Sequence, residues 1–405
     1  MQYKPLAIER KTPPIEWVNA LIPYSKPFQL FIVIQIVYVN LAIYVHHHTE
    51  WTLLIKRPIF AASILITMQK PIRVAINGFG RIGRITFRQM LKNSLIEVVA
   101  VNDMADADNL AHLVKYDSVQ GGFVGTISHS GQALIVNGKR IEVLCEPDPA
   151  NLPWKSMEID VVIESTGKFI DPRSAILHVE KSGARKVIIS APARDEFEQV
   201  KYIVLGVNDH LIDRNDVMIS NASCTTNNVA PLIMVLDEMW GIEKGFITTV
   251  HSYTKDQNLV DGPHKDWRRG RAAAYSIVPT TTGAAKAATR IFPHLKGNLG
   301  GAGIRVPVPD GSLTDLTCTL SKSTSVEAIN EAFREASLTR LKGILQYTED
   351  PIVSADVIGN THSAVFDAGL TAVLGDRNKL IKVVAWYDNE MGYASRLVEL
   401  VTRFA

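Results

Sequence analysis

Cys224 stands in the run Asn221-Ala222-Ser223-Cys224-Thr225-Thr226-Asn227, where the apolar strand-like residues 217–220 give way to a segment of helical character. A cysteine at that junction faces the backbone N–H groups that open a helix. Their partial positive charge favours the thiolate, the form that attacks a carbonyl carbon. Because a lone cysteine is more often a small buried hydrophobe, a second residue is needed to argue chemistry. His251, at the end of the strand-like run Phe246-Ile247-Thr248-Thr249-Val250, is of the type that takes a thiol proton. Separation in sequence leaves their contact open. Around them lie groups suited to phosphate: Thr254 and Asp256, the basic cluster Arg268, Arg269 and Arg271, the run Thr280-Thr281-Thr282-Gly283, and Arg305. Arginine forks and hydroxyls match phosphate oxygens, while each of these taken singly also reads as ordinary surface or interface polarity.

The elements that must position this chemistry begin at Ile72. The buried strand-like run 72–76 leads into Asn77-Gly78-Phe79-Gly80-Arg81-Ile82-Gly83, and a helical pattern with apolar Phe87, Met90 and Leu91 comes next. In this strand-turn-helix setting Gly78 permits a tight turn, Gly80 lets the backbone approach a pyrophosphate, and Gly83 lets helix pack on strand. A second strand-like run, 97–101, ends in Asn102-Asp103. An acid there accepts from the adenosine ribose hydroxyls and repels a 2′-phosphate, which predicts NAD rather than NADP. Further strands are predicted at 159–163, 186–190, 202–205 and 217–219, with helix over 173–181 and an Asn137-Gly138 hairpin over 133–141. Ser190 and Ser165-Thr166-Gly167, just past strand ends, are predicted cofactor contacts. Beyond Cys224 the strand-like runs 246–251, 313–320, 364–366 and 380–386 have few helices between them, and a helix is predicted over 392–404. The fold class is therefore α/β: a Rossmann-type doubly wound parallel sheet plus an α+β catalytic domain on a mainly antiparallel or mixed sheet. The predicted division is a cofactor-binding domain over 68–222, completed by the C-terminal helix 389–405, and a catalytic domain over 223–388.

Composition excludes several classes. The 405 residues are 46% hydrophobic and 21% charged with a formal net charge of +2, so nothing calls for a nucleic-acid partner. Three cysteines without Cys-x-x-Cys or Cys/His ligand spacing argue against a disulfide scaffold and a metal site. A thiol that must stay reduced fits a cytoplasmic setting. The first 67 residues differ in character, with eighteen uncharged residues from Phe28 to Val45 and a second apolar run over 59–66. The first run is long enough to be a membrane-span candidate, and membrane anchoring would result from it. The alternative reading puts the start of the functional chain at Met68.

From about Met68 to Ala405 the chain resembles phosphorylating glyceraldehyde-3-phosphate dehydrogenase. The motifs that carry the resemblance are residues 77–84, Ala222-Ser-Cys-Thr-Thr-Asn227, Val250-His-Ser-Tyr-Thr254, Thr282-Gly-Ala-Ala-Lys286, Arg305-Val-Pro307 and Trp386-Tyr-Asp-Asn-Glu390. The resemblance implies a homotetramer that uses NAD and inorganic phosphate to convert glyceraldehyde 3-phosphate into 1,3-bisphosphoglycerate, with Cys224 as nucleophile and His251 as base. It further implies that Thr254, Arg305 and Arg271 hold the substrate phosphate. Ser223, Thr225, Thr282, Gly283 and Arg269 would hold the attacking phosphate. Arg81 and Ile82 fall to the pyrophosphate, Asp103 to the ribose, Ser190 to the cofactor pocket and Asn389 to the nicotinamide carboxamide. Asn228 stands where many relatives carry a second cysteine, and Pro147 where an arginine often lies near the adenine. Met104 and Pro263 match NAD-using members. Two alternatives stay open on sequence: erythrose-4-phosphate dehydrogenase, against which Thr254 and Thr282-Gly283 count, and a non-catalytic, membrane-anchored binding protein.

Overall fold

A computed structural model describes residues 32–47, 50–66, 70–195, 199–375 and 377–405. The chain divides between Met68 and Gln69 into two units. In the first, strands Ile32–His47 and Glu50–Ile66 pair antiparallel. A membrane-spanning helix is thereby corrected over residues 32–45, which form a strand rather than a helix; residues 28–31 lie outside the described residues. The physical reason is visible in the composition: Ile and Val recur along the run, and their branched Cβ favours the pleated backbone. No helix among the described residues is long and apolar enough to cross a membrane.

The second unit carries two sheets. One has nine strands in the order Lys201–Tyr202, Met218–Ser220, Lys186–Ile189, Val161–Glu164, Ile72–Asn77 (β1), Ile96–Asn102 (β2), Lys139–Leu144, Ala133–Val136 and Ile127–His129. Its pairings are parallel from Lys201–Tyr202 through Lys139–Leu144 and antiparallel at the hairpin edge, where Asn137 and Gly138 adopt the left-handed conformation that a two-residue turn requires. Helix α1 (Arg81–Met90) comes after β1, burying Ile85, Phe87 and Met90. β1 is central because Val74, Ala75 and Ile76 are buried, as a strand covered on both sides must be.

The other sheet has eight strands, built on β3 (Ile242–Ser252), β4 (Leu299–Val306), β5 (Ser312–Leu320) and β6 (Leu380–Tyr387). β3 runs parallel to β4 and antiparallel to β5, so the sheet is mixed as predicted. One residue of every two on β5 is buried, the alternation of a sheet covered on one face. Helix α2 (Cys224–Trp240) and helix α3 (Ala284–Ile291) supply apolar residues to the core, and helix α4 (Met391–Phe404) ends the chain with Leu397, Val401 and Phe404 buried.

Two local expectations fail. The strand predicted over 202–205 stops at Tyr202, because Asn208 turns the chain: its side chain accepts from the Val204 amide and donates to the Tyr202 carbonyl, both at 2.7 Å. The helix predicted over 173–181 is two short pieces, Pro172–Ala175 and Leu177–Glu180.

Candidate active site

Strand Met218–Ser220 ends in a tight corner before α2, and the corner needs Ala222 at φ +53°, a left-handed setting that costs a non-glycine residue about a kilocalorie per mole. Side chains hold the corner. Asn227 donates to the carbonyls of Asn221 and Ser223 at 2.8 and 3.0 Å, and Tyr393 donates to the Ala222 carbonyl at 3.1 Å. Ser223 caps the helix by accepting from the Thr226 amide at 3.0 Å. Cys224 is thus the first residue of a seventeen-residue helix.

The register of β3 on β4 sets Arg305 beside His251. His251 Nε2 lies 3.5 Å from Cys224 Sγ, and Nδ1 lies 2.8 Å from the Ser252 carbonyl. The Nδ1 proton therefore goes to that carbonyl, leaving the Nε2 lone pair facing the sulfur. Arg305 Nη1 donates to the Ser252 carbonyl and to Thr254 Oγ1, each at 3.0 Å, and approaches His251 Nδ1 at 2.9 Å as a charge rather than as a donor. Burial first, and the Arg305 charge second, pull His251 down to about 3. Burial pushes the Cys224 thiol up, opposed by Arg305 and by bonds from Thr225. The helix-start stabilisation expected from sequence is present but outweighed for each group taken alone. Proton transfer from Sγ to Nε2 changes both at once and sets opposite charges 3.5 Å apart, so the two titrate as a pair. Tyr387 lies beneath, its hydroxyl 2.9 Å from both Thr225 Oγ1 and Thr249 Oγ1.

The predicted anion-binding residues separate. Thr254 links Arg305 to Asp256, and Asp256 in turn pairs with Arg269, whose other partner is Asp266 at 3.2 Å. Arg271 does not join them: its side chain is largely exposed and pairs with Asp261 at 2.9 Å. Ser223 Oγ is shared with the Thr226 amide and hydroxyl, and the Thr225 hydroxyl is turned inward onto Tyr387. Thr282 accepts from the Ala284 amide at 3.2 Å, and Gly283 opens α3 with clear space on its Cα.

At the glycine turn, Gly78 has φ +94° and a Cβ there would stand 2.5 Å from the Thr166 amide; at Gly83 a Cβ would stand 2.2 Å from the Gly78 carbonyl oxygen. Both must be glycine. Gly80 is different, since a Cβ there would meet nothing within 4 Å and no side chain caps the α1 start. The open space and the uncapped amides of Arg81 and Ile82 fit a dinucleotide pyrophosphate. The Arg81 guanidinium itself is taken up by Glu390 and Asp117. Asp103 accepts from the Phe79 amide at 2.7 Å, which fixes the carboxylate at the turn. Ser190 sits at the carboxyl edge, its amide 2.9 Å from the Glu164 carbonyl. Asn389 Oδ1 accepts from Ser252 Oγ at 2.9 Å and Ser312 Oγ at 2.6 Å, so its amide is held beside the His251 strand.

Residues 72–172 match the family profile described as glyceraldehyde 3-phosphate dehydrogenase, NAD binding domain, and residues 223–389 match that family's C-terminal domain. A glyceraldehyde-3-phosphate dehydrogenase of Geobacillus stearothermophilus is 53% identical over 335 residues, which is 82% of this chain and 98% of the relative. The chain belongs to the glyceraldehyde-3-phosphate dehydrogenase family. Glyceraldehyde-3-phosphate dehydrogenase 2 of Bacillus subtilis is 50% identical over 82% of this chain and 97% of its own length, and the Mycobacterium avium enzyme is 54% identical over the same shares. The chain is accordingly an NAD-dependent dehydrogenase of that family, and neither alternative reading is supported. Sequence reasoning missed Ser252 and Ser312, which orient Asn389, and Asp117, Gln120 and Asp310, which surround Glu390. Ser252 falls inside the motif Val250-His-Ser-Tyr-Thr254 but meets Asn389 only through the fold, and the other four lie in no motif that the sequence singles out.

Proposed function

We propose that the protein oxidises glyceraldehyde 3-phosphate to 1,3-bisphosphoglycerate with NAD and inorganic phosphate, through a covalent adduct on Cys224. The observation that carries this reading is the 3.5 Å approach of Cys224 Sγ to His251 Nε2 beside Arg305. His251 takes the thiol proton as sulfur adds to the aldehyde carbon and returns it to the oxygen anion so formed, giving a hemithioacetal and a neutral imidazole. The imidazole then takes the hydroxyl proton of that adduct as it collapses to the thioester. NAD supplies the acceptor for the hydride. Gly78, Gly80, Gly83, Arg81 and Ile82 receive the pyrophosphate, Asp103 the ribose, Ser190 the pocket wall and Asn389 the carboxamide. Thr254 and Arg305 bind the substrate phosphate. Arg269, Thr282, Gly283 and the backbone beside Ser223 and Thr225 bind the phosphate that attacks the thioester.

The reading assigns 68–222 and 389–405 to cofactor binding and 223–388 to catalysis, in a cytoplasmic homotetramer. Support for self-association comes from exposed apolar side chains clustered in one segment, with Leu259, Val260, Trp267, Tyr275 and Ile277 between 69% and 90% exposed. NADH formation by the purified full-length chain, with glyceraldehyde 3-phosphate as substrate, tests the activity: it should require inorganic phosphate. Turnover indifferent to phosphate would refute the second anion pocket.

A further inference from the structure

Beneath the proposed cofactor site lies a cluster of acids with too few cations. Asp310, in the loop between β4 and β5, is fully buried, and Asp388 and Glu390, in the turn between β6 and α4, are 1% and 9% exposed. Gln120 donates to both aspartates, to Asp310 Oδ2 at 2.8 Å and to Asp388 Oδ2 at 3.0 Å. Glu390 receives Arg81 Nε at 2.7 Å, and Arg81 also holds Asp117 at 2.6 Å. One end of the cluster is therefore the α1 start that meets the pyrophosphate, and the other is the turn containing Asn389.

We propose that Asp310 is a positioning residue for the cofactor: wedged against Asp388 and tied by Gln120, it fixes the Asp388-Asn389-Glu390 turn that presents the Asn389 amide and receives Arg81. The inference rests on the cofactor reading above. The donors are divided unequally. Asp388 accepts from the amides of Gly359, Glu390 and Met391 as well as from Gln120, whereas Asp310 accepts from Gly311 and Gln120. The proton shared by the two acids accordingly sits on Asp310. Burial, then the charges of Asp388 and Glu390, push Asp310 up to about 9; beyond Glu390 the cluster is faced by Arg81 and Asp117. A buried neutral acid can donate a hydrogen bond that a carboxylate cannot.

The test compares wild type, Asp310→Asn and Asp310→Leu in the full chain. NAD binding is titrated by tryptophan fluorescence, and melting of the NAD-free protein is recorded from pH 5 to 9. Asn, which resembles the neutral acid, should bind NAD within about twofold of wild type, while Leu should bind about tenfold more weakly with unchanged far-ultraviolet circular dichroism. An acid whose folded value is raised contributes its stability fully below its unfolded value near 4 and loses it as pH climbs toward 9. The melting temperature of Asp310→Asn should therefore gain on wild type across that range. A Leu variant that binds NAD normally, an Asn variant as weak as Leu, or a melting difference flat with pH would each overturn the proposal. Should Leu fail to fold, the Asn variant carries the test. Wild-type protein that binds no NAD would instead sink the cofactor reading, and the NAD-free melting comparison still decides whether Asp310 is the neutral partner.

Discussion

Exchanging His251 for asparagine removes the acceptor for the Cys224 proton while keeping a polar side chain in the strand. Opposite unit charges at the observed Sγ to Nε2 separation of 3.5 Å attract by about 5 kcal/mol at an effective dielectric of about 20. That is somewhat more than three pK units. Burial sets His251 down to about 3 and the thiol up, so this attraction closes only part of the gap between them and the transferred pair is the minor, reactive form. The assay is the second-order rate of alkylation by iodoacetamide between pH 5 and 10, read on the Cys224 peptide by mass spectrometry because Cys145 is exposed and reacts too. In wild type the rate should rise at lower pH, where the thiol can hand its proton to the imidazole; in His251→Asn the rise should move up. Superimposable profiles would show that the imidazole is not the acceptor, and the pairing argued from the 3.5 Å approach of Cys224 Sγ to His251 Nε2 would fall.

Three shorter predictions accompany it. Cys224→Ser should abolish NADH formation while equilibrium dialysis still finds NAD bound. Asp103→Ala frees the Phe79 amide and removes the charge that repels a 2′-phosphate, so the ratio of kcat/KM for NAD over NADP should fall by about tenfold. Gly83→Ala puts a methyl 2.2 Å from the Gly78 carbonyl oxygen, and calorimetry should register a loss of about 1–3 kcal/mol in stability together with weaker NAD binding.

Much of this molecule was legible because its chemistry is written in local patterns. β1 reads from its run of branched residues, and the glycine turn reads because Gly78 and Gly83 leave no room for a side chain. Cys224 reads as a helix opener because the apolar strand-like run 217–220 gives way just before it to polar residues and a segment of helical character. The expectations that failed depend on contacts between distant residues. Eighteen uncharged residues at 28–45 suit a membrane helix by length, yet over 32–45 the antiparallel partner strand at 50–66 decides the backbone. Arg269 and Arg271 are equivalent in sequence, but Asp256 and Asp266 draw one inward and Asp261 keeps the other outside. The balance of burial against the helix start at Cys224 likewise depends on the three-dimensional packing around the sulfur.

Oxidation through an acyl group on Cys224 is the step on which the rest of the chemistry depends. Full-length protein mixed with glyceraldehyde 3-phosphate and NAD, without inorganic phosphate, and then quenched in acid should carry the phosphoglyceroyl mass on the peptide containing Cys224, and inorganic phosphate added before the quench should remove it. An adduct on Cys145 or Cys318, or steady NADH production with Cys224 unmodified throughout, would contradict that route.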